Sequence, residues 1–531
     1  MRSVFVSSCC VSASLPTGSY FVIRCPIVID CFFILSSRCP FGALSSLIVF
    51  SFFHHVARQP IYWLASYGAF IYLLSSTTVF LPSTLPSHNS MSKNSMRILF
   101  LSYFFPPYNA IGAVRTGKLV KLLLQEGHDV RVISATRQGL PQNLDMDISK
   151  SLVSYTDWVD VDMFLARALG KRAITKIKST SAAPNGRVGS LRRLLGMASQ
   201  LYVSWMHVPD RYIGWYPFAR RASMQLIDNG WRPDVIYASA TPYTALMVAA
   251  SIGKKYGIPW VGELRDLWTD NPYARHRALS KWLEQRTLRS AAALVTVSEP
   301  LANVLRGKYK CPCGVVMNGF DAEDFPASTG HVDVESGSDR RLRIVYTGQL
   351  YAGRRDPTVL FDAINRSPGL KSKVQIDFYG RNLEWVSARA YEYGVEHLVK
   401  VHDPVSRREA INIQRQADIL LLLTWNDPRE RGVLTGKLFE YIGSSRPILV
   451  LGHVEGDAAN LVRDEGFGIA SNDLADIANF IHTLMSDPSV GSSYNNVFRA
   501  RAGKYERRQQ LIKLLDVFNT VSATPQKGGR E

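Results

Sequence analysis

The stretch Arg97–Ser134, RILFLSYFFPPYNAIGAVRTGKLVKLLLQEGHDVRVIS, decides the fold. Arg97 to Ser102 is a short, almost wholly apolar run, of the kind that a strand covered on both faces requires. Pro106-Pro107-Tyr108-Asn109-Ala110-Ile111-Gly112 interrupts it as a glycine- and proline-bearing loop. Apolar residues then return at helical spacing from Val114 to Gln125, Gly127 ends the helix, and Val130 to Ser134 is a second apolar strand. Strand, loop, helix and strand make a βαβ unit, in which the two strands run parallel.

The same alternation extends outward. Asp234 to Ser239, Pro259 to Leu264, Ala293 to Ser298 and Val315 to Met317 read as strands, with helical text at Tyr243 to Tyr256 and Leu279 to Ala291. Pro326 to Arg340 is too poor in apolar residues to be core, and after it the pattern restarts. Arg343 to Thr347, Val374 to Tyr379, Ala417 to Thr424 and Pro447 to Leu451 are the strands of a second half. Its helices are expected near Pro357 to Asn365, Ser406 to Arg415, Lys437 to Ile442 and Leu474 to Met485. The expected fold is α/β, with two doubly wound, Rossmann-like domains facing a central cleft, where the carboxyl ends of both sheets would meet ligands. The boundaries are an atypical extension over 1–95, an N-terminal domain over 96–325, a linker over 326–340, a second domain over 341–490, and a C-terminal helix and tail over 491–531.

A chain of 531 residues with 46% hydrophobic and 20% charged residues is neither disordered nor collagen-like. Its net charge of +18 points to an anionic partner without choosing among phosphate, membrane and nucleic acid. Five of seven cysteines (Cys9, Cys10, Cys25, Cys31, Cys39) precede residue 40, leaving Cys311 and Cys313 in the body, which excludes a disulfide framework and a four-ligand zinc site there. A reducing, cytoplasmic setting is expected.

Residues 1–90 carry only Arg2, Arg24, Asp30, Arg38 and Arg58 as charges. Ile61 to Leu81 approaches the length that spans a bilayer and is a candidate membrane anchor. The alternatives are a targeting peptide and, favoured by Met91 and Met96, upstream sequence read from too early a start. A second membrane signal is the insertion over 163–209, with Arg167, Lys171, Arg172, Lys176, Lys178, Arg187, Arg192 and Arg193 and no acidic residue from Met163 on. Leu201, Tyr202, Trp205, Met206, Tyr212, Ile213 and Trp215 lie beside it. Cations next to aromatics suit an anionic membrane interface, giving an expected peripheral position on the inner membrane face, although a solvated loop beside core aromatics fits the same text.

Two segments of the second half suit anions. Thr435-Gly436-Lys437-Leu438-Phe439-Glu440-Tyr441 follows an apolar strand and a polar loop. Thr435 is placed to cap a helix whose free N–H groups face an anion, and Lys437 and Glu440 share a face, so a diphosphate at Lys437 and a sugar hydroxyl at Glu440 fit. A capped helix with a surface ion pair is the plainer alternative. The loop Gly348 to Asp356 follows the first strand of this half, with Gly348 allowing backbone approach and Arg354 offering a bidentate donor.

In order and spacing, these segments resemble the family 4 glycosyltransferases of GT-B fold. The resemblance runs from Met96 to about Leu515. It is carried by Leu101-Ser102-Tyr103-Phe104-Phe105-Pro106-Pro107 with Gly112 and Arg115, Gly127-His128-Asp129-Val130, Asp234 to Ser239, Glu263-Leu264-Arg265-Asp266-Leu267-Trp268, Val297-Ser298-Glu299, Asn318-Gly319-Phe320-Asp321, Tyr346-Thr347-Gly348 and Lys437-Leu438-Phe439-Glu440-Tyr441. It implies transfer, with retention of anomeric configuration, of a hexosyl or N-acetylhexosaminyl group from a nucleotide-diphosphate sugar to a glycan or lipid-linked acceptor in cell-surface glycan synthesis. No cofactor and no metal are implied, and nucleic acid is not an expected partner.

By resemblance, Glu440 would hold the donor's ribose, Arg354 and Lys437 its diphosphate, with Gly348, Thr435 and Gly436 completing the donor site. Gly112 and Arg115 would belong to the loop beside the sugar or acceptor, and Arg265, Asp266 and Lys437 would be the catalytic set. Two departures stand out. Many relatives carry Glu-x7-Glu, with its first Glu where this chain has Gly432, and many have a histidine where it has Arg265. Asp145-Met146-Asp147 and Asp160-Val161-Asp162 read as surface pairs rather than metal ligands. The rival readings are a GT-B epimerase, a non-catalytic membrane-associated sugar-nucleotide module, and a nicotinamide oxidoreductase, which the single Gly112 in the first loop disfavours.

Overall fold

The structure is a computed structural model. It describes residues 95–161, 208–271, 277–325 and 341–523, together with the backbone of five short strands among residues 1–90. The chain divides into two units, Met1–Ser90 and Met91–Glu531.

In the first unit, β1 (Phe21–Arg24), β2 (Asp30–Leu35), β3 (Ile48–Phe52), β4 (Ile61–Ser66) and β5 (Ala69–Ile71) pair antiparallel in sequence order. The described part of the candidate anchor over 61–81 is thus two strands. No helix among the described residues is long and apolar enough to cross a membrane.

The second unit holds two parallel sheets. The first contains β6 (Arg97–Leu101), β7 (Asp129–Ala135), β8 (Val153–Thr156), β9 (Val235–Ala240), β10 (Trp260–Leu264), β11 (Ala293–Thr296) and β12 (Cys313–Val315), in the order β12-β11-β10-β9-β6-β7-β8. The second contains β13 (Leu342–Thr347), β14 (Val374–Tyr379), β15 (Val399–His402), β16 (Ile419–Leu423), β17 (Ile448–Leu451) and β18 (Gly468–Ala470), in the order β15-β14-β13-β16-β17-β18. In each sheet the order doubles back beside the first strand, which is the doubly wound topology expected from the alternation.

The uninterrupted apolar runs follow from burial on both faces. In β6, Leu99 and Leu101 enter one core while Ile98 and Phe100 enter another on the opposite face. In β16, Ile419, Leu421 and Leu423 point one way and Leu420 and Leu422 the other. Five helices matter for the site: α1 (Ile111–Gln125), α2 (Glu299–Lys308), α3 (Arg407–Arg415), α4 (Gly436–Ser444) and α5 (Arg507–Ala523). The last, α5, returns to the first domain, where Leu511, Leu514, Phe518 and Val521 join the core of Ile98 and Phe100. The C-terminal helix thereby ties the end of the chain to the first domain.

Several expectations are corrected here. Ile111 and Gly112 open α1 rather than close the preceding loop, because Ala110 is extended and the chain turns helical directly after it. The strand expected over Val315 to Met317 is Cys313–Val315, paired with β11. Of the aromatics read beside the basic insertion, Tyr212 and Trp215 belong to the core instead, while Tyr202 and Trp205 lie outside the described residues. Trp215 is fully buried and bonds Thr156 Oγ1 through its indole N–H at 2.8 Å, and Tyr212 packs on Tyr103 with ring centroids 4.4 Å apart. The insertion itself, up to residue 207, and the linker over 326–340 lie outside the described residues.

Candidate active site

The carboxyl edges of the two sheets meet. Ser298, just past β11, donates from Oγ to the carbonyl of Gly432 at 3.0 Å, and the Asn318 side-chain amide, past β12, donates to the Leu434 carbonyl at 3.3 Å. The loop 427–435, which follows β16, is therefore held by the first domain. A Cβ on Gly432 would stand 3.2 Å from Ser298 Oγ and 3.4 Å from Leu301. The position where relatives carry a carboxylate is spent on this contact.

Next comes α4, with Thr435 at its N-cap position. Thr435 does not cap: its hydroxyl is buried without a hydrogen-bond partner, in a small pocket that Arg355, Trp425, Arg431 and His453 also line. Gly436 opens the helix, and a Cβ there would touch nothing. Lys437 folds back over β13. Its ammonium bonds the Tyr346 hydroxyl and lies 4.1 Å from the centre of that ring.

Gly348 makes this possible. Its φ of +116° belongs to glycine, and a Cβ would fall 2.5 Å from Lys437 Cε and 2.8 Å from Nζ. The two anion-suited segments of the sequence, more than eighty residues apart, therefore share one place. Burial, then the charge of Arg355, pushes the Lys437 pKa down to about 7, against the favourable field of Glu440. A lysine so placed is short of negative charge.

Arg354 and Arg355 divide differently from the sequence reading. Arg354 is exposed and its guanidinium lies over Trp425 at 4.4 Å, whereas Arg355 is the one whose charge reaches Lys437. Nothing in two adjacent arginines distinguishes them before Trp425 is brought alongside. Glu440 is 27% exposed, with Arg407 Nε 3.5 Å from its Oε1.

On the first-domain side, Arg265 lies against Gly112. A Cβ on Gly112 would fall 2.8 and 2.9 Å from the two terminal guanidinium nitrogens. Arg265 is oriented by the carbonyls of Ala240 at 2.8 Å and Thr241 at 3.2 Å, and by Glu263 at 4.0 Å. It is not paired with Asp266, which is exposed. Arg115 departs from its expected place beside the sugar. It is 4% exposed, bonds Glu263 Oε1 from two nitrogens at 2.9 and 2.6 Å, and donates to Met317 O, Asn318 Oδ1 and Val316 O. With all its donors engaged, it fixes the segment leaving β12 and has none left for a ligand. Glu263 stays ionised: the charges of Arg115 and Arg265, with hydrogen bonds from Arg115 and the Ser239 hydroxyl, outweigh burial and hold its carboxyl below the usual range.

A cavity of about 600 Å³ lies between α1 and α3, lined among others by Asp145, Asp147, Asp324 and Arg407. Asp147 pairs with Lys118 at 2.9 Å, and Asp160 with Arg211 at 3.5 Å. No group of three or more metal-ligating side chains occurs among the described residues.

Comparison with known proteins bears on this geometry. Residues 112–313 match the family described as glycosyl transferase 4-like domain. The chain resembles sucrose-phosphate synthase from Thermosynechococcus elongatus with a TM-score of 0.52 at 12% identity, over 81% of this chain and 99% of that one. It resembles Anabaena Alr3699/HepE, solved in complex with UDP and glucose, with a TM-score of 0.52 at 15% identity, over 80% and 100% of the two chains. A glycosyltransferase from Rickettsia africae aligns with a TM-score of 0.50 at 12% identity, over 81% and 100%. At such identities the likeness is one of fold, the two-domain GT-B arrangement. Comparison with curated proteins gave no match.

Proposed function

We propose, from the match of residues 112–313 to the glycosyl transferase 4-like domain and the GT-B arrangement of the fold, that this chain moves a sugar from a nucleoside-diphosphate sugar to a glycan or lipid-linked acceptor, with retention at the anomeric carbon. One observation carries the reading: Lys437, wedged against Gly348 at the N-terminus of α4 and beside Arg355, has its pKa driven down to about 7. A diphosphate at that point would meet an ammonium, a guanidinium and the free N–H groups of a helix start. The Anabaena protein's UDP-glucose complex supports a nucleotide-sugar donor for this fold.

In this reading the sugar carbon becomes oxocarbenium-like as the glycosidic oxygen leaves with the diphosphate, and negative charge grows on the phosphate oxygens. Lys437 and Arg355 stand where that charge develops, so they stabilise the transition state more than the bound donor. Glu440 takes the ribose hydroxyls, which change little during reaction. Arg265, presented through Gly112, faces the sugar from the first domain, with Asp266 beside it. The chain's own cations supply the charge that a metal would otherwise bring. The basic insertion over 163–209 brings the enzyme to an anionic inner membrane surface, where a lipid-linked acceptor of cell-surface glycan synthesis lies.

The test is calorimetric titration with UDP, GDP and ADP and their monophosphates, then transfer from the matching sugar nucleotide in the presence of EDTA, with the product's anomeric configuration read by NMR. Diphosphate binding well above monophosphate binding, and a retained configuration, are expected. Equal affinity for mono- and diphosphates would place the leaving group elsewhere.

A further inference from the structure

The Glu440 carboxylate accepts no hydrogen bond from any described residue, yet one cation stands against it. Arg407, the first residue of α3, reaches across to α4 with Nε 3.5 Å from Glu440 Oε1 and Nη1 2.7 Å from Asp324 Oδ2. Lys437, one turn before Glu440, is turned toward Tyr346 and Gly348 instead. The Arg407 Nε–H is buried and makes no hydrogen bond, so it is a donor aimed at Oε1 that a shift of under about one ångström would complete. Burial opposes the guanidinium charge, but Glu440, Asp324 and Asp321 together outweigh it.

Asp324 belongs to the segment leading out of the first domain. Neighbouring Asp321 is itself clamped by Arg507 of α5 at 2.9 Å. The fork of Arg407 thus has one tine on Asp324 and the other beside a carboxylate that no other described residue hydrogen-bonds.

We propose that Arg407 is a positioning residue for donor binding. It sets the rotamer of Glu440 so that the carboxylate meets the ribose 2′- and 3′-hydroxyls, without touching the donor itself. The proposal rests on the reading of Glu440 as the ribose ligand. An arginine suits the task because its planar guanidinium serves two carboxylates at once, which a lysine cannot do with fixed geometry. The arrangement also ties ribose recognition to the interdomain segment through Asp324.

The test compares a nucleoside diphosphate with its 2′,3′-dideoxy analogue, using whichever of UDP, GDP and ADP the full chain binds most tightly in calorimetry. Hydrogen bonds to a charged acceptor lead us to expect that the wild type prefers the ribonucleotide by about tenfold or more. Glu440→Ala should abolish that preference. Arg407→Met should reduce it to within about threefold of none while leaving dideoxy affinity unchanged, and Arg407→Lys should fall between.

If Glu440→Ala keeps the preference, or the wild type has none, the ribose reading fails and this inference with it. If Glu440→Ala loses the preference while Arg407→Met keeps it, or weakens both ligands equally, the positioning role alone is overturned. Should Arg407→Met not fold, Asp324→Asn replaces it, since it frees the anchored tine and should lower the preference partway. A wild-type preference in Asp324→Asn would then refute the proposal.

Discussion

Lys437 offers the most direct test of the donor site, because its charge state is set by its surroundings. In the free protein its pKa is pushed down to about 7 by burial and by Arg355. A bound diphosphate stabilises the ammonium, so the pKa rises on binding and a proton is taken up wherever the free lysine is neutral. The sign follows: affinity is highest at low pH and falls as pH rises through the free-state value. The penalty grows as the logarithm of one plus the neutral-to-charged ratio. From a pKa of about 7 the affinity should fall roughly fiftyfold between pH 7 and pH 9, about 2.3 kcal/mol at about 1.36 kcal/mol per unit. That window lies above the last phosphate ionisation near pH 6, so the ligand's own charge is constant.

The groups facing the ammonium do not mimic the effect. Burial drives the Tyr346 hydroxyl far above its usual range, so it stays neutral across this window. The assay is calorimetric titration with UDP at pH 7, 8 and 9 in two buffers of different ionisation enthalpy, which yields affinity and proton uptake independently. Uptake should approach one proton at pH 9. Lys437→Met should bind more weakly with an almost flat pH profile. A wild-type affinity that does not change between pH 7 and 9 would refute the assignment of the diphosphate to this lysine.

Gly436 has open space where a Cβ would sit, so Gly436→Ala should leave stability unchanged or raise it by no more than the roughly 1 kcal/mol that separates alanine from glycine within a helix, while weakening diphosphate binding if phosphate occupies that space. Thermal melts with and without UDP separate the two effects. Gly112→Ala places a methyl where the Arg265 guanidinium lies, so turnover should fall while UDP affinity is kept; steady-state kinetics beside calorimetry check this. Glu263→Gln strands the buried Arg115 guanidinium and should cost about 3 to 5 kcal/mol in urea unfolding, as for other broken buried pairs.

Much of the fold was legible because both faces of each sheet are covered. Runs such as Ile419 to Leu423 are apolar at every position, and this signal survives without any knowledge of neighbours. What was missed lacked that signal. β8 is four residues at a sheet edge with the text VSYT, half-exposed, and β18 is three residues, Gly-Ile-Ala. The start of α1 carries no Ser, Thr or Asp at its cap, so Pro and Gly nearby drew the loop too far. Of the site, the segments at Gly348 and Lys437 could be found from local chemistry, but their meeting could not. Nor could the choice of Arg355 over Arg354, which depends on Trp425, or the part of Arg407, whose anchor Asp324 lies 83 residues away.

The two departures from the family pattern have one physical theme. At Gly432 a side chain is absent so that backbone can receive Ser298 from the first domain; at Arg265 a longer side chain is present, and Gly112 is small enough to accept it. In both places the residue present makes a contact between segments, through the backbone at Gly432 and through the guanidinium at Arg265. The loop 432–434 is held by Ser298 and Asn318, and Asn318 is held by Arg115, whose charge rests on Glu263, which in turn faces Arg265. That chain of contacts runs from the second domain's loop 432–434, which leads into α4, to the first domain's candidate catalytic arginine. In the proposed reading, Gly432 offers the donor no side-chain hydrogen-bonding group, and its carbonyl instead links the second domain to Ser298 of the first. The donor's sugar would then be gripped less by the second domain and more by Arg265 from the first.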